Sequence, residues 1–162
     1  MDSILRKLPS RQVFQGVSAW MPPGQEERLG YLVDCIRKFG DLYLSTETWL
    51  AAHNLSLGRL GVLTLLLSIS EDWLTPSELA DHAGVTRGTM TGLLQGLEAE
   101  GLIERLRHPD DKRKVAVRLT DSGYEKIAHI LPQHFRRMGQ LVGDISDEEL
   151  RHLTTIMAKV RL

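Results

Sequence analysis

The chain has 162 residues, 42% apolar and 25% charged, which is ordinary globular material and enough for one domain or a compact unit with appended helices. Its net charge is −1, with 20 basic against 21 acidic residues, which excludes a global cationic field of the kind that binds nucleic acid indiscriminately; such binding would have to come from a local patch. The single cysteine, Cys35, excludes an intrachain disulfide, and neither a long apolar run nor a signal-peptide pattern is found, so we expect a cytoplasmic protein with no membrane partner.

Residues 1–25 contain Pro9, Pro22, Pro23 and Gly24 among Leu5, Leu8, Val13, Phe14, Val17 and Trp20. The prolines forbid one long helix, and the apolar residues are too many for a solvated tail, so a partly ordered N-terminal extension is expected. From Glu26 to about His53, Leu29, Leu32, Val33, Ile36, Phe39, Tyr43 and Leu50 recur every three to four residues, with Leu42, Leu44 and Trp49 widening the stripe. That pattern predicts a long helix with contacts on two sides, to its own subunit and to a partner. A turn at 54–56 leads to a second, very apolar helix over 57–69.

Thr75-Pro76-Ser77-Glu78 is a helix start: a hydroxyl to cap, a proline needing no donor in the first turn, and a glutamate that can reach back. Leu79, Ala80 and Ala83 give that helix an apolar side, and Gly84 supplies the residue free to take positive φ at the bend. Thr86 starts the next helix. There Met90, Leu93, Leu94 and Leu97 form one stripe, while the opposite face carries Gly88, Thr91, Gly92 and Gln95, flanked by Arg87, Thr89 and Gly96. A solvated helix face is ordinarily rich in Glu and Lys. This one admits a close backbone approach and offers hydroxyls and an amide, as a helix in a DNA major groove requires.

Two apolar-alternating runs, 102–107 and 115–120, flank the polar turn His108-Pro109-Asp110-Asp111-Lys112-Arg113-Lys114, predicting a β-hairpin with a cationic tip. Residues 121–142 read as a helix with Tyr124, Ile127, Ile130, Leu131, Phe135, Met138 and Leu141 on one face and an internal Pro132 that should bend it. Ser146-Asp147-Glu148-Glu149 is a capping box, followed by the stripe Leu150, Leu153, Met157 and Val160. A stripe left uncovered at the end of a chain calls for a partner helix.

The order helix, turn, helix, then Glu98-x-x-Gly101-Leu102-Ile103-Glu104-Arg105, then Asp111-Lys112-Arg113 and Leu119-Thr120-Asp121-Ser122-Gly123, resembles the MarR family of bacterial transcription regulators over roughly residues 27–160. The resemblance implies a mainly α fold with a small β-hairpin wing: a winged helix-turn-helix over 57–120, with dimerisation helices at 26–56 and 121–162. It implies a homodimer binding a pseudo-palindromic operator in double-stranded DNA, most simply a repressor released by a small-molecule effector. In that setting Thr86, Arg87, Gly88, Thr89, Thr91, Gly92 and Gln95 belong to the reading helix. Arg113 would enter the minor groove, and Asp111 would orient it. Lys112, Lys114, Arg105 and Arg107 are expected to meet phosphates, since point charges position a protein while base edges specify.

Trp49, His53, Arg59 and Phe135 are candidates for a pocket that takes small aromatic or amphipathic acids, as family members do; aromatic core with a polar rim is the plainer reading. Arg59 stands where the family frequently has Gln. Cys35, one turn after Tyr31, is a candidate redox sensor of the kind some family members carry, against the plainer reading of a packed small residue. His129 and His134 are five apart, which does not place two metal ligands on one helix face, so no metal and no other cofactor are expected. We find no nucleophile–base set and no phosphate-cradling glycine loop, and expect no enzyme. The alternatives are a winged-helix module that docks a protein, or a regulator switched through Cys35.

Overall fold

In this computed structural model of the chain, residues 16–69, 74–107 and 113–161 are described. Helix α1 spans Glu26–Ala51 and α2 Leu57–Ser68; α3, Pro76–Ala83, and α4, Arg87–Ala99, form the helix-turn-helix. Strands β1, Ile103–Arg107, and β2, Val115–Leu119, make the hairpin, and α5, Asp121–Leu141, and α6, Asp147–Met157, complete the chain. The fold is the expected one, mainly helical with a β-hairpin wing. The chain forms two compact units that divide between Leu60 and Gly61, within α2.

In the first unit, α1 opens with Glu26 and Glu27 at the end of the helix where the macrodipole favours acids. Its buried line is Gly30, Val33, Gly40, Thr46 and Leu50, narrower and smaller in side chain than the leucine-based stripe expected from the sequence. Tyr31, Leu32 and Phe39 are exposed instead. Asn54 takes positive φ (55°) in the turn, and the Glu47 carboxylate accepts from the Leu57 amide at 3.0 Å, capping the start of α2.

The second unit is built around the helix-turn-helix. Thr75 Oγ1 accepts from the Glu78 amide at 3.3 Å, while the Thr75 amide donates to Glu78 Oε2 at 2.7 Å, so both arms of the capping box are made. Gly84 ends α3 with φ 63°, in the left-handed region that a side chain would disfavour. Leu79, Ala80, Met90, Leu94 and Leu97 are buried where α3 packs on α4. The hairpin pairs Ile103 with Leu119 through to Arg107 with Val115. Leu74 extends it by exchanging backbone hydrogen bonds with Val117, Val117 N–H donating to Leu74 O at 2.7 Å. The sheet is thereby tied to the start of the helix-turn-helix.

Helices α5 and α6 fall in this second unit together with the helix-turn-helix and the hairpin. The physical reason is the joint between β2 and α5. Thr120 caps α5, accepting from the Gly123 amide at 3.1 Å, and donates its own proton to Gly101 O at 2.6 Å. A Cβ on Gly123 would sit 1.9 Å from Leu102 O, a distance only glycine can tolerate. Helix α5 runs unbroken through Pro132. Helix α6 has the predicted Ser146–Glu149 capping box and buries none of its residues; Leu153, Ile156 and Met157 face solvent.

Candidate nucleic-acid interface

Helix α4 is positioned by its own cap and by its buried stripe. Thr86 Oγ1 accepts from the Thr89 amide at 3.1 Å and lies 2.9 Å from Thr89 Oγ1, fixing the first turn. With Met90, Leu94 and Leu97 fully buried, the opposite face turns outward: Arg87, Gly88, Thr89, Thr91, Gly92 and Gln95 are all exposed. The glycines are not there to relieve crowding within the chain. A Cβ at Gly92 would meet nothing within 4 Å, and one at Gly88 only Thr86 Oγ1 at 3.9 Å, an ordinary contact. Thr91 Oγ1 donates to Arg87 O at 2.8 Å, which leaves its lone pairs as the outward-facing function.

Between this helix, the N-terminus of α3 and the wing lies a groove of about 530 Å³, lined by Thr75, Pro76, Ser77, Glu78, Arg87, Thr91, Lys114 and Val115. Arg87 and Lys114 bring cations to it from two different elements. Arg107 and Arg113 are exposed on the hairpin close to its tip. Asp111 and Lys112, expected to orient Arg113 and to meet phosphate, lie outside the described residues, as does most of 1–25.

The cations of the hairpin are not all placed alike. Arg105, expected among the phosphate contacts, is half-buried and drawn toward α4, its Nε 3.0 Å from Glu98 Oε2. The reason is its position on the strand face that also carries the buried Ile103. Arg118, directly opposite Glu104 in the ladder, pairs with it through Nε. Glu98 stands at the head of the Glu-x-x-Gly motif, but its pairing with Arg105 is not foreseen from the sequence. The available signal was an acid in the last turn of a helix that has no basic residue there, where the dipole favours a cation.

The remaining candidates divide between the two units. In the first, Trp49 and His53 are in ring contact, centroids 4.6 Å apart and planes inclined 56°, and Arg59 is half-buried, its amide donating to Ser56 Oγ at 3.3 Å. In the second, Phe135 is 61% exposed, with the ring of His134 at 6.0 Å. None of these four lines the groove beside α4. Cys35 is exposed on α1, and the Tyr31 hydroxyl one turn earlier donates to Glu27 Oε1 at 3.1 Å. His134 is buried, and this burial, aided by the nearby Arg137 charge, holds its imidazole below the usual histidine range. Among the described residues no group of His, Cys, Asp or Glu could hold a metal ion, and no helix is long and apolar enough to cross a membrane.

Residues 55–115 match the model of the MarR family, a stretch that holds the helix-turn-helix and β1. The chain is 39% identical over 103 residues to the HTH-type transcriptional repressor YetL of Bacillus subtilis, covering 64% of this chain and 62% of that protein. The chain thus spans less than two thirds of the length of the curated relatives it matches first. Among solved structures, AbsC, a MarR family transcriptional regulator from Streptomyces coelicolor, superposes with a TM-score of 0.71 at 19% identity, covering 85% of this chain and 92% of that one. The MepR–DNA complex of Staphylococcus aureus gives a TM-score of 0.66 at 23% identity over 80% of this chain and 91% of the other. At such identities the likeness is one of fold.

Proposed function

Because this chain belongs to the MarR family, we propose that it is a sequence-specific DNA-binding regulator of transcription, acting as a homodimer on a pseudo-palindromic operator. The observation that carries the reading is the outward face of α4, polar and glycine-containing without any internal need for glycine, set beside a cationic groove and hairpin in one compact unit. Each subunit would lay α4 in a major groove, reading base edges with Gln95, Thr91 and Arg87, and place Arg113 in the flanking minor groove. Gly88 and Gly92 let the helix backbone approach. Lys114 and Arg107 would meet phosphates and fix the register. The reading assigns the chain no catalytic chemistry.

The name of YetL, a repressor, supports repression as the sense of regulation. A small aromatic or amphipathic acid, bound near Trp49 and His53, is the proposed signal for release, without a cofactor. It would act by changing the spacing of the two reading heads, whose half-sites lie roughly 34–36 Å apart. The exposed Cys35 keeps redox switching as a second reading of the release step. The cytoplasm, where DNA and reduced thiols meet, is the proposed compartment.

A duplex titration over a range of salt concentrations tests the reading. Phosphate contacts release counterions, so the logarithm of affinity should fall linearly with the logarithm of salt, by about 0.9 per phosphate contacted. Absence of duplex binding at low salt would overturn the proposal and favour a winged helix that docks a protein.

A further inference from the structure

We infer that Arg105 and Glu98 are positioning residues that set the wing against the recognition helix, and that Arg105 takes no phosphate; the inference rests on the DNA-reading proposal above. Glu98 lies in the last turn of α4, at the negative end of the helix dipole, and that turn holds no basic residue. Arg105 brings the missing cation from the middle of β1. Its Nε stands 3.0 Å from Glu98 Oε2, with the two side chains 26% and 43% exposed.

Two of the three guanidinium nitrogens are not presented to solvent. Nε and Nη2 are both closed off from water and form no well-aligned hydrogen bond, so the contact with Glu98 is one of charge rather than a directed fork. With two of its three nitrogens enclosed, Arg105 has no bidentate edge to offer a phosphate. Arg107, two residues further along the same strand face, is exposed and can take that role.

The placement gives the pair its leverage. Arg105 faces Val117 in the ladder, and Val117 exchanges hydrogen bonds with Leu74, so one row of backbone crosses the small sheet under the guanidinium. The Arg118–Glu104 pair joins the two strands to each other. Arg105–Glu98 joins the sheet to the reading helix. Helix and wing act as two linked binding elements, and the second adds affinity only when its position relative to the first matches the spacing of the grooves. Loosening the strut should therefore cost the contribution of Arg113 without removing a phosphate contact.

The test combines Arg113→Ala with each of two strut variants, Arg105→Met, which keeps the bulk without the charge, and Glu98→Gln, at a half-exposed position where folding is safe. Arg113→Ala should weaken duplex binding about tenfold in the unmodified chain but less than about threefold in either strut variant, with the salt slope of Arg105→Met unchanged. In the protein without DNA, amides of 103–107 and 115–119 should exchange faster in both variants while those of 90–97 do not. A salt slope reduced by about 0.9 in Arg105→Met, with binding and exchange unaltered in Glu98→Gln, would instead make Arg105 a phosphate contact and overturn the inference. If the unmodified chain binds no duplex, it is the DNA reading that fails. The exchange comparison then decides the strut alone, and unchanged exchange in both variants overturns it.

Discussion

Gly123 shows how a single carbon atom decides the joint between wing and C-terminal helices. Replacing glycine by alanine inside a helix ordinarily stabilises it by about 1 kcal/mol. Here the added Cβ would meet the Leu102 carbonyl oxygen at 1.9 Å, and that oxygen already accepts from the Thr120 amide. The clash outweighs the propensity gain. We expect Gly123→Ala to destabilise the chain by about 1–3 kcal/mol, read as a lower urea midpoint at unchanged slope. The Leu-Thr-x-x-Gly signature is visible in the sequence, but its cause is not, because the Leu102 carbonyl lies just before β1, across the hairpin from the signature. His134 gives a second prediction. Its imidazole is held below the ordinary histidine value by burial, with Arg137 adding to the effect, so the unfolded chain takes up a proton more readily than the folded one. The stability associated with neutral His134 is present above the unfolded pKa of about 6.5 and declines as pH falls below it. The melting temperature should therefore drop on acidification through that range, and drop less in His134→Leu; an equal drop in both would contradict the assignment.

At the scale of elements, α4 is a helix that gives up stability on its outer face. Gly92 has open space where a side chain would stand, so Gly92→Ala should raise chain stability by about 1 kcal/mol while weakening specific DNA binding by about tenfold or more. Thermal melts and duplex titration on the same variant check the two halves; a gain in stability with unaltered affinity would remove Gly92 from the interface. Helix limits were legible where short-range chemistry sets them: both arms of the Thr75–Glu78 box, the Gly84 bend and the Ser146–Glu149 box stand where the residues predicted. Side-chain fates set by long-range packing were not. Arg105 looked like another surface cation of the wing, and only the fold brings it against Glu98. Of the expected stripe of α1, Val33 and Leu50 are buried, and Gly30, Gly40 and Thr46 complete the buried line, a part that hydrophobic periodicity does not register.

At the scale of the whole molecule, α6 stands out for its exposure. A capped helix with none of its residues buried leaves Leu153, Ile156 and Met157 in water, and α1 leaves Tyr31, Leu32 and Phe39 there as well. Under the proposed function a second copy covers such faces, so Ile156→Asp, at a position 58% exposed in the single chain, should shift the mass in solution from dimer toward monomer and abolish tight operator binding. An unchanged dimeric mass would place the interface elsewhere. The measurement that bears most directly on DNA reading is selection of bound duplexes from a random pool, with the mass of the complex determined alongside. We predict an inverted repeat with half-sites about one helical turn apart, bound by a dimer. Recovery of no preferred sequence, with binding that merely falls as salt rises, would contradict it.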